Sequence, residues 1–199
     1  MTFSFQNYPV LHEFYRGMEL HPRLAGVDVK QLTNCRVGMM MWQLLTLTFF
    51  LAGWKLYGFD PGHLVNVLLQ TIYIYKFFHW ETGYFNTLDI TLDRAGYYLC
   101  WGCLVWIPSF YTFHSYYFVY HRPHASLLFA VMVFALGLAA IYYNYDVDRQ
   151  KELFRTANGR EIKVNPFSRV IPCFQSSCWL LATFVLVKDL IYFMLFYPE

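Results

Sequence analysis

The chain has 199 residues, 57% of them hydrophobic and 22% aromatic, with 15 basic and 13 acidic side chains for a net charge of +2. Charged residues make up 14%, against roughly 25% in a soluble domain, which excludes a disordered tail, a collagen-like fibre and a disulfide miniprotein and argues against an ordinary soluble enzyme. So small a net charge gives no sign of nucleic-acid binding, and five scattered cysteines do not suggest a secreted disulfide framework.

Residues 1–36 are polar and mixed in charge. They read as a cytosolic or interfacial segment with no signal peptide, so the first span is expected to direct insertion itself. Gly17-Met18-Glu19-Leu20-His21-Pro22-Arg23 closes this segment. Gly and Pro turn and stiffen such a stretch, and Arg23 is placed to pair with Glu19 or a lipid phosphate; a plain interfacial loop is the simpler reading.

Five nearly charge-free windows follow, at 37–57, 63–80, 96–120, 125–145 and 174–197, in which only Lys55, Lys76, Lys188 and Asp189 are charged. About 20 apolar residues cross a hydrocarbon core, and backbone groups in lipid must be paired internally, so each window is expected to be a helix. The second is short, and Lys76 near its end is expected to snorkel to the interface.

The join into the loop 81–95 gathers Tyr73, Lys76, His79, Glu81, Asp89, Asp93 and Arg94. Asp89 and Asp93 are four apart and share a face if that stretch is helical, where like charges raise one carboxyl pKa. Acids beside a dry cavity suit proton delivery; a solvated loop is the competing reading. In the third window Pro108 is expected to kink the helix. Cys100-Trp101-Gly102-Cys103 has the zinc or redox spacing but no second ligand pair nearby, so it reads as packing.

After the fourth window comes Asp148-Arg149-Gln150-Lys151-Glu152-Leu153-Phe154-Arg155. On a helix continuing from the membrane, Lys151 and Arg155 lie about one turn apart on one face, a spacing suited to a phosphate. The positive-inside rule alone also puts bases here. With five spans, Arg16, Arg23, Lys30, Arg36, Arg94 and the six bases of loop 146–173 share one side, leaving only Arg122 in the opposite loops. The N-terminus is therefore expected in the cytosol. No G-x-G-x-x-G, P-loop or H-E-x-x-H is present, so nucleotide binding would not be of Rossmann type. The expected fold is an all-α polytopic membrane protein of about five transmembrane helices. It divides into the segment 1–36, a four-helix core over 37–145, a basic loop over 146–173 and a terminal hydrophobic helix over 174–199.

Gly17–Arg23 is similar to the G-x-E-x-[N/Y]-P-R signature of the sterol reductases of the Δ14/Δ7/C24(28) group, with His21 at the variable position. Asp28–Met40, Lys76–Ile90, Asp93–Gly96, Cys100–Pro108 and Asp148–Arg155 continue the resemblance in order over roughly 14–163, closest to the Δ7 branch. The resemblance implies a membrane enzyme of the endoplasmic reticulum, or an equivalent internal membrane, that uses NADPH to reduce a ring double bond of a sterol substrate. The alkene is protonated and hydride is then delivered. By the family's register the proton donor is Tyr73, with Glu81, Asp89 and Asp93 at acidic family positions. Lys151 and Arg155, in the Q-K-x-x-F-R element, would contact the cofactor; no metal is implied. Past about residue 164 the family's W-G-x-x-R-H-x-N-Y-x-G-D and R-D-x-x-x-C-x-x-K-Y-G elements do not appear. The expectation is a truncated homologue, a split enzyme completed by a partner chain, or a non-catalytic sterol-binding scaffold. A transporter would show an internal repeat, and none is seen.

Overall fold

A computed structural model of the protein describes residues 9–85, 88–122 and 125–156, with the backbone alone at 88, 89, 151 and 154–156. The described chain is almost wholly helical, and its one sheet is a two-residue hairpin. After α1 (Val10–Arg16), β1 (Arg23–Leu24) pairs antiparallel with β2 (Val27–Asp28). The two residues between them, Ala25 and Gly26, both have positive φ, 51° and 82°, as a type I′ turn requires. Asp28 then starts the first long helix: its Oδ1 accepts from the backbone N–H groups of Lys30 at 2.8 Å and Gln31 at 3.2 Å.

That helix opens with a π-helical segment, Gln31–Gly38, and runs on as α2 (Met39–Tyr57). It starts well before the first expected span at 37. Lys30, Gln31, Asn34 and Arg36 make this stretch polar, but each is bonded to the segment after α3, which lets a polar run stay helical. Asp60 caps α3 (Pro61–His79), accepting from the N–H groups of Gly62 at 2.9 Å and His63 at 3.2 Å, with proline at the first helical position. The expected loop 81–95 contains two short helices, α4 (Glu81–Phe85) and α5 (Leu88–Leu92). One helix then runs from α6 (Tyr97–Trp101) through a second π segment (Gly102–Trp106) into α7 (Ile107–Tyr120). The π turns lie directly before Pro108, which lacks the N–H a regular ladder needs.

The fourth window extends into α8 (Leu127–Thr156), 30 residues or about 45 Å at 1.5 Å per residue. It continues through the first eleven residues of the expected loop 146–173. The fifth window, 174–197, lies outside the described residues.

Packing is closest between α2 and α7 and between α3 and α8. One core joins Cys35, Met39, Trp42, Ile74 and Phe77; a second joins Val65 and Leu69 to Ala130 and Val133. Between α2, α3 and α7 runs a polar seam centred on Gln70. Its Oε1 accepts from Trp42 Nε1 at 2.7 Å and Thr46 Oγ1 at 2.9 Å, while Nε2 donates to Asn66 Oδ1 at 2.9 Å and Ser115 Oγ at 3.2 Å. Asn66 Nδ2 also donates to Ser115 Oγ at 2.8 Å. At the far end, Arg122 Nε, just past α7, meets Asp60 Oδ2 at 3.1 Å and ties the end of α7 to the start of α3.

By length and composition, two described stretches are apolar enough to cross a membrane, Gln31–Tyr57 and Leu127–Gln150. α3 and α7 carry inward polar residues, Asn66 and Gln70 on one and Thr112, His114 and Ser115 on the other, which lowers their mean hydropathy. A mostly helical chain with two such stretches is consistent with an all-α membrane protein.

Candidate functional site

The C-terminal half of α3 brings Tyr73 and Lys76 against the core where α2, α7 and α8 meet. Tyr73 is half-buried, with its ring 5.7 Å from Trp42, which in turn lies 4.8 Å from Tyr111. Asp148 and Tyr111 both lie near enough to act electrostatically on its phenol. Lys76 Nζ donates to Asn144 Oδ1 at 2.6 Å and Asp148 Oδ2 at 2.9 Å, and stands 5.7 Å from the ring centres of Tyr73 and Trp80. Lys76, expected to snorkel to the interface, is held by partners within the bundle. Two acceptors on α8 turn the ammonium inward.

Glu81 opens α4 and belongs to a different group. Arg36 forks it, Nη1 to Oε1 at 2.9 Å and Nη2 to Oε2 at 3.1 Å, and Gln31 Nε2 adds a longer bond at 3.4 Å. The guanidinium also covers the Phe78 ring at 5.7 Å. A bidentate pair fixes orientation as well as distance, so Glu81 fastens α4 to the first π segment. Asn34 Nδ2 donates to the Tyr84 hydroxyl in the same seam.

Asp93, just past α5, accepts from the Tyr98 phenol and faces Lys30. The buried Lys30 ammonium donates to the Ile90 carbonyl at 2.7 Å. Burial lowers its pKa below the ordinary lysine value, with Asp28 and Asp93 pulling the other way. Asp89 lies on α5 and its side chain is outside the described set. Of the four positions read as catalytic, then, Tyr73 packs on the core around Trp42, Glu81 pairs with the first π segment and Asp93 lies with the N-terminal region; no described hydrogen bond or ion pair joins these three side chains.

The Gly17–Arg23 segment docks on the start of the third long helix. Gly17 has φ +87°, and a Cβ there would lie 2.7 Å from the Gly96 nitrogen; a Cβ on Gly96 would lie 2.2 Å from the Arg16 carbonyl carbon. Phe14 stacks on Tyr97 at 5.3 Å, and Ala95 N–H donates to the Glu19 carbonyl at 3.4 Å. Two glycines thus let two backbones touch. Arg23 stands exposed on β1, and no ion pair joins it to Glu19. Cys35, Cys100 and Cys103 are free thiols; Cys103 is buried, beside the close crossing of Gly38 on its carbonyl oxygen.

Positions 151 and 155 lie on the unbroken helix α8, four residues apart; the Lys151 and Arg155 side chains are outside the described set. Three residues given no role in the sequence reading, Asn144, Asp148 and Glu152, carry polar contacts between α8 and the end of α3. Glu152 Oε2 accepts from Trp80 Nε1 at 2.9 Å. The signal was their spacing of four, matched by Lys76 on α3 and Trp80 just past its end; nothing in either run alone says that the two ladders meet.

The sequence profile of the Ergosterol biosynthesis ERG4/ERG24 family matches residues 7–194, past the stretch in which motifs are traced above. The chain is 47% identical over 150 residues to a protein of Arabidopsis thaliana named 7-dehydrocholesterol reductase, covering 74% of this chain and 35% of that one. A Xenopus laevis protein of the same name is 37% identical over 150 residues, covering 74% and 32%. A Delta(14)-sterol reductase of Methylotuvimicrobium alcaliphilum is 30% identical over 156 residues, covering 78% and 36%. The chain spans about a third of the length of these curated relatives.

Proposed function

The chain belongs to the Ergosterol biosynthesis ERG4/ERG24 family, and from that premise we propose that it serves the NADPH-dependent reduction of a ring double bond in a sterol precursor, the C7–C8 bond first. The observation that carries this is the 47% identity to a plant protein named 7-dehydrocholesterol reductase. Tyr73 holds the transferable proton at its phenolic oxygen, beside the aromatic wall of Trp42 and Tyr111. A phenol is a weak acid, titrating near pH 10, so its surroundings must assist. Glu81 and Asp93 hold the segment after α3 in place through Arg36 and Tyr98. Asp89 is assigned to proton return on the resemblance alone. Lys151 and Arg155, one turn apart on a helix that runs unbroken through both positions, hold the phosphates of the dinucleotide. NADPH, when bound, supplies the hydride.

The topology in this reading is five spans with a cytosolic N-terminus, in the endoplasmic reticulum or an equivalent internal membrane. The one-sided run of basic residues supports it. Because the chain spans about a third of its relatives' length, the complete site includes groups from a further stretch of protein or a partner chain.

The test gives 7-dehydrocholesterol, with and without NADPH, to membranes of a sterol-free host expressing the protein. NADPH binding is measured for wild type and for the double variant Lys151→Ala, Arg155→Ala. NADPH-dependent loss of the Δ7 bond is expected when the completing stretch or partner chain is co-expressed, with binding at least about tenfold weaker in the variant, since each charge-assisted bond is worth ~1.5–3 kcal/mol. Sterol binding with no NADPH binding would refute the reductase reading in favour of a sterol-binding scaffold.

A further inference from the structure

Lys76 occupies an unusual place for a lysine. Its side chain is 13% exposed and that of its partner Asp148 is 17% exposed, so water screens the pair weakly. A charge in a helix bundle is costly unless it is matched, and removing one partner of such a pair is far more damaging than the pair is stabilising. Here the ammonium is matched twice, by the Asp148 carboxylate at 2.9 Å and the Asn144 amide oxygen at 2.6 Å.

Two features make this more than a stability device. Lys76 is three residues from Tyr73 on the same helix, and its ammonium lies 5.7 Å from that ring. Its two acceptors sit on α8, with Glu152 bound to Trp80 one turn further on. Asn144, Asp148 and Glu152 therefore form one ladder on α8, set on Lys76 of α3 and on Trp80 just past its end. In helical register, positions 151 and 155 fall on the same stripe of α8, three and seven residues after Asp148.

We propose that Lys76 is a positioning residue that couples the two ligands of the site. Through Asp148 and Asn144 it locks the register of α8 against α3, so that a dinucleotide phosphate held at positions 151 and 155 and a sterol held at Tyr73 bind to one rigid unit. The proposal rests on the reading of α8 as the cofactor-bearing helix given above. Its consequence is reciprocal: each ligand pre-orders the α3–α8 contact that the other needs, so each tightens the other by the same factor.

The experiment measures the NADPH Kd of the full chain in nanodiscs, with and without saturating 7-dehydrocholesterol; the ratio of the two values is the coupling. The test variant is Lys76→Met with Asp148→Asn, which removes the charge pair without leaving an orphan carboxylate. Lys76→Arg is the rescue, since it keeps a cation within reach of both acceptors. The expected ratio is at least about fivefold in wild type, the low end of ordinary couplings, close to one in the double variant, and restored in Lys76→Arg. A merely structural role would weaken both ligands and leave the ratio alone. A double variant that keeps the wild-type ratio overturns the proposal while sparing the cofactor reading, and a wild-type ratio of one does the same. Wild type that binds no NADPH overturns the cofactor reading and the proposal together. Should the double variant fail to fold, Lys76→Leu with Asp148→Leu, which replaces the pair by apolar side chains, takes its place with the same criteria.

Discussion

Gln70→Leu separates packing from hydrogen bonding at the centre of the bundle. The two side chains are similar in size, so the substitution removes four bonds without opening a large void: those from Trp42 and Thr46, and those to Asn66 and Ser115. Interhelical side-chain bonds in membrane proteins average about 0.6 kcal/mol each, so the four amount to about 2.4 kcal/mol. At roughly 2–4 °C per kcal/mol for a chain of this size, the melting midpoint falls by about 5–10 °C. Gln70→Glu keeps the acceptor but loses the donor and buries a carboxyl group, and is expected to fall at least as far. The assay is thermal unfolding of the protein in nanodiscs, followed by tryptophan emission, because Trp42 loses its bond to residue 70 in Gln70→Leu and keeps an acceptor there in Gln70→Glu. Trp42 is 1% exposed, so its emission maximum reports the seam directly. A midpoint within 1 °C of wild type for Gln70→Leu would refute the idea that this seam holds α2, α3 and α7 together, and would leave their contact to apolar packing alone.

Gly96→Ala drives a methyl group into the Arg16 backbone, an overpacking cost of about 1–3 kcal/mol; trypsin is expected to cut after Arg16 several-fold faster in the variant, and an unchanged cutting rate would show that the N-terminal segment does not dock there. Lys30, with its pKa lowered by burial, binds its proton less readily folded than unfolded, so stability rises with pH between its folded value and the unfolded value of about 10.5. The gap between wild type and Lys30→Met, measured by unfolding from pH 8 to 10.5, is expected to move in favour of wild type as pH rises; a gap that stays constant would sink the assignment.

Much of the architecture was legible because lipid leaves a chain few options. The windows at 63–80 and 125–145 fall on α3 and α8, though α3 starts two residues before its window, at the Asp60 cap. The early start of the first helix was not legible. Its opening residues Lys30, Gln31, Asn34 and Arg36 look solvated in the sequence, and only their partners some fifty to sixty residues later make them structural. The end of α8 was misplaced for a similar reason: periodicity of charge after 145 reads as loop until Lys76 and Trp80 are known to face it. Within the candidate site, family register points to Tyr73, and positions 151 and 155, read as four apart on a helix continuing from the membrane, do lie on one unbroken helix. The grouping was not legible, because which carboxylate meets which base depends on how three helices cross.

The glycine contact between residues 17 and 96 joins parts of the chain separated by nearly eighty residues. During synthesis at about 5–20 residues per second, roughly 4–16 s pass between the emergence of one partner and the other. For that interval the first signature segment has nothing to rest on, although the hairpin and cap beside it are complete. Its docking is therefore a late event in biogenesis, gated by arrival of the third long helix, and a substitution at either glycine acts on the yield of assembled protein as much as on the properties of what is assembled.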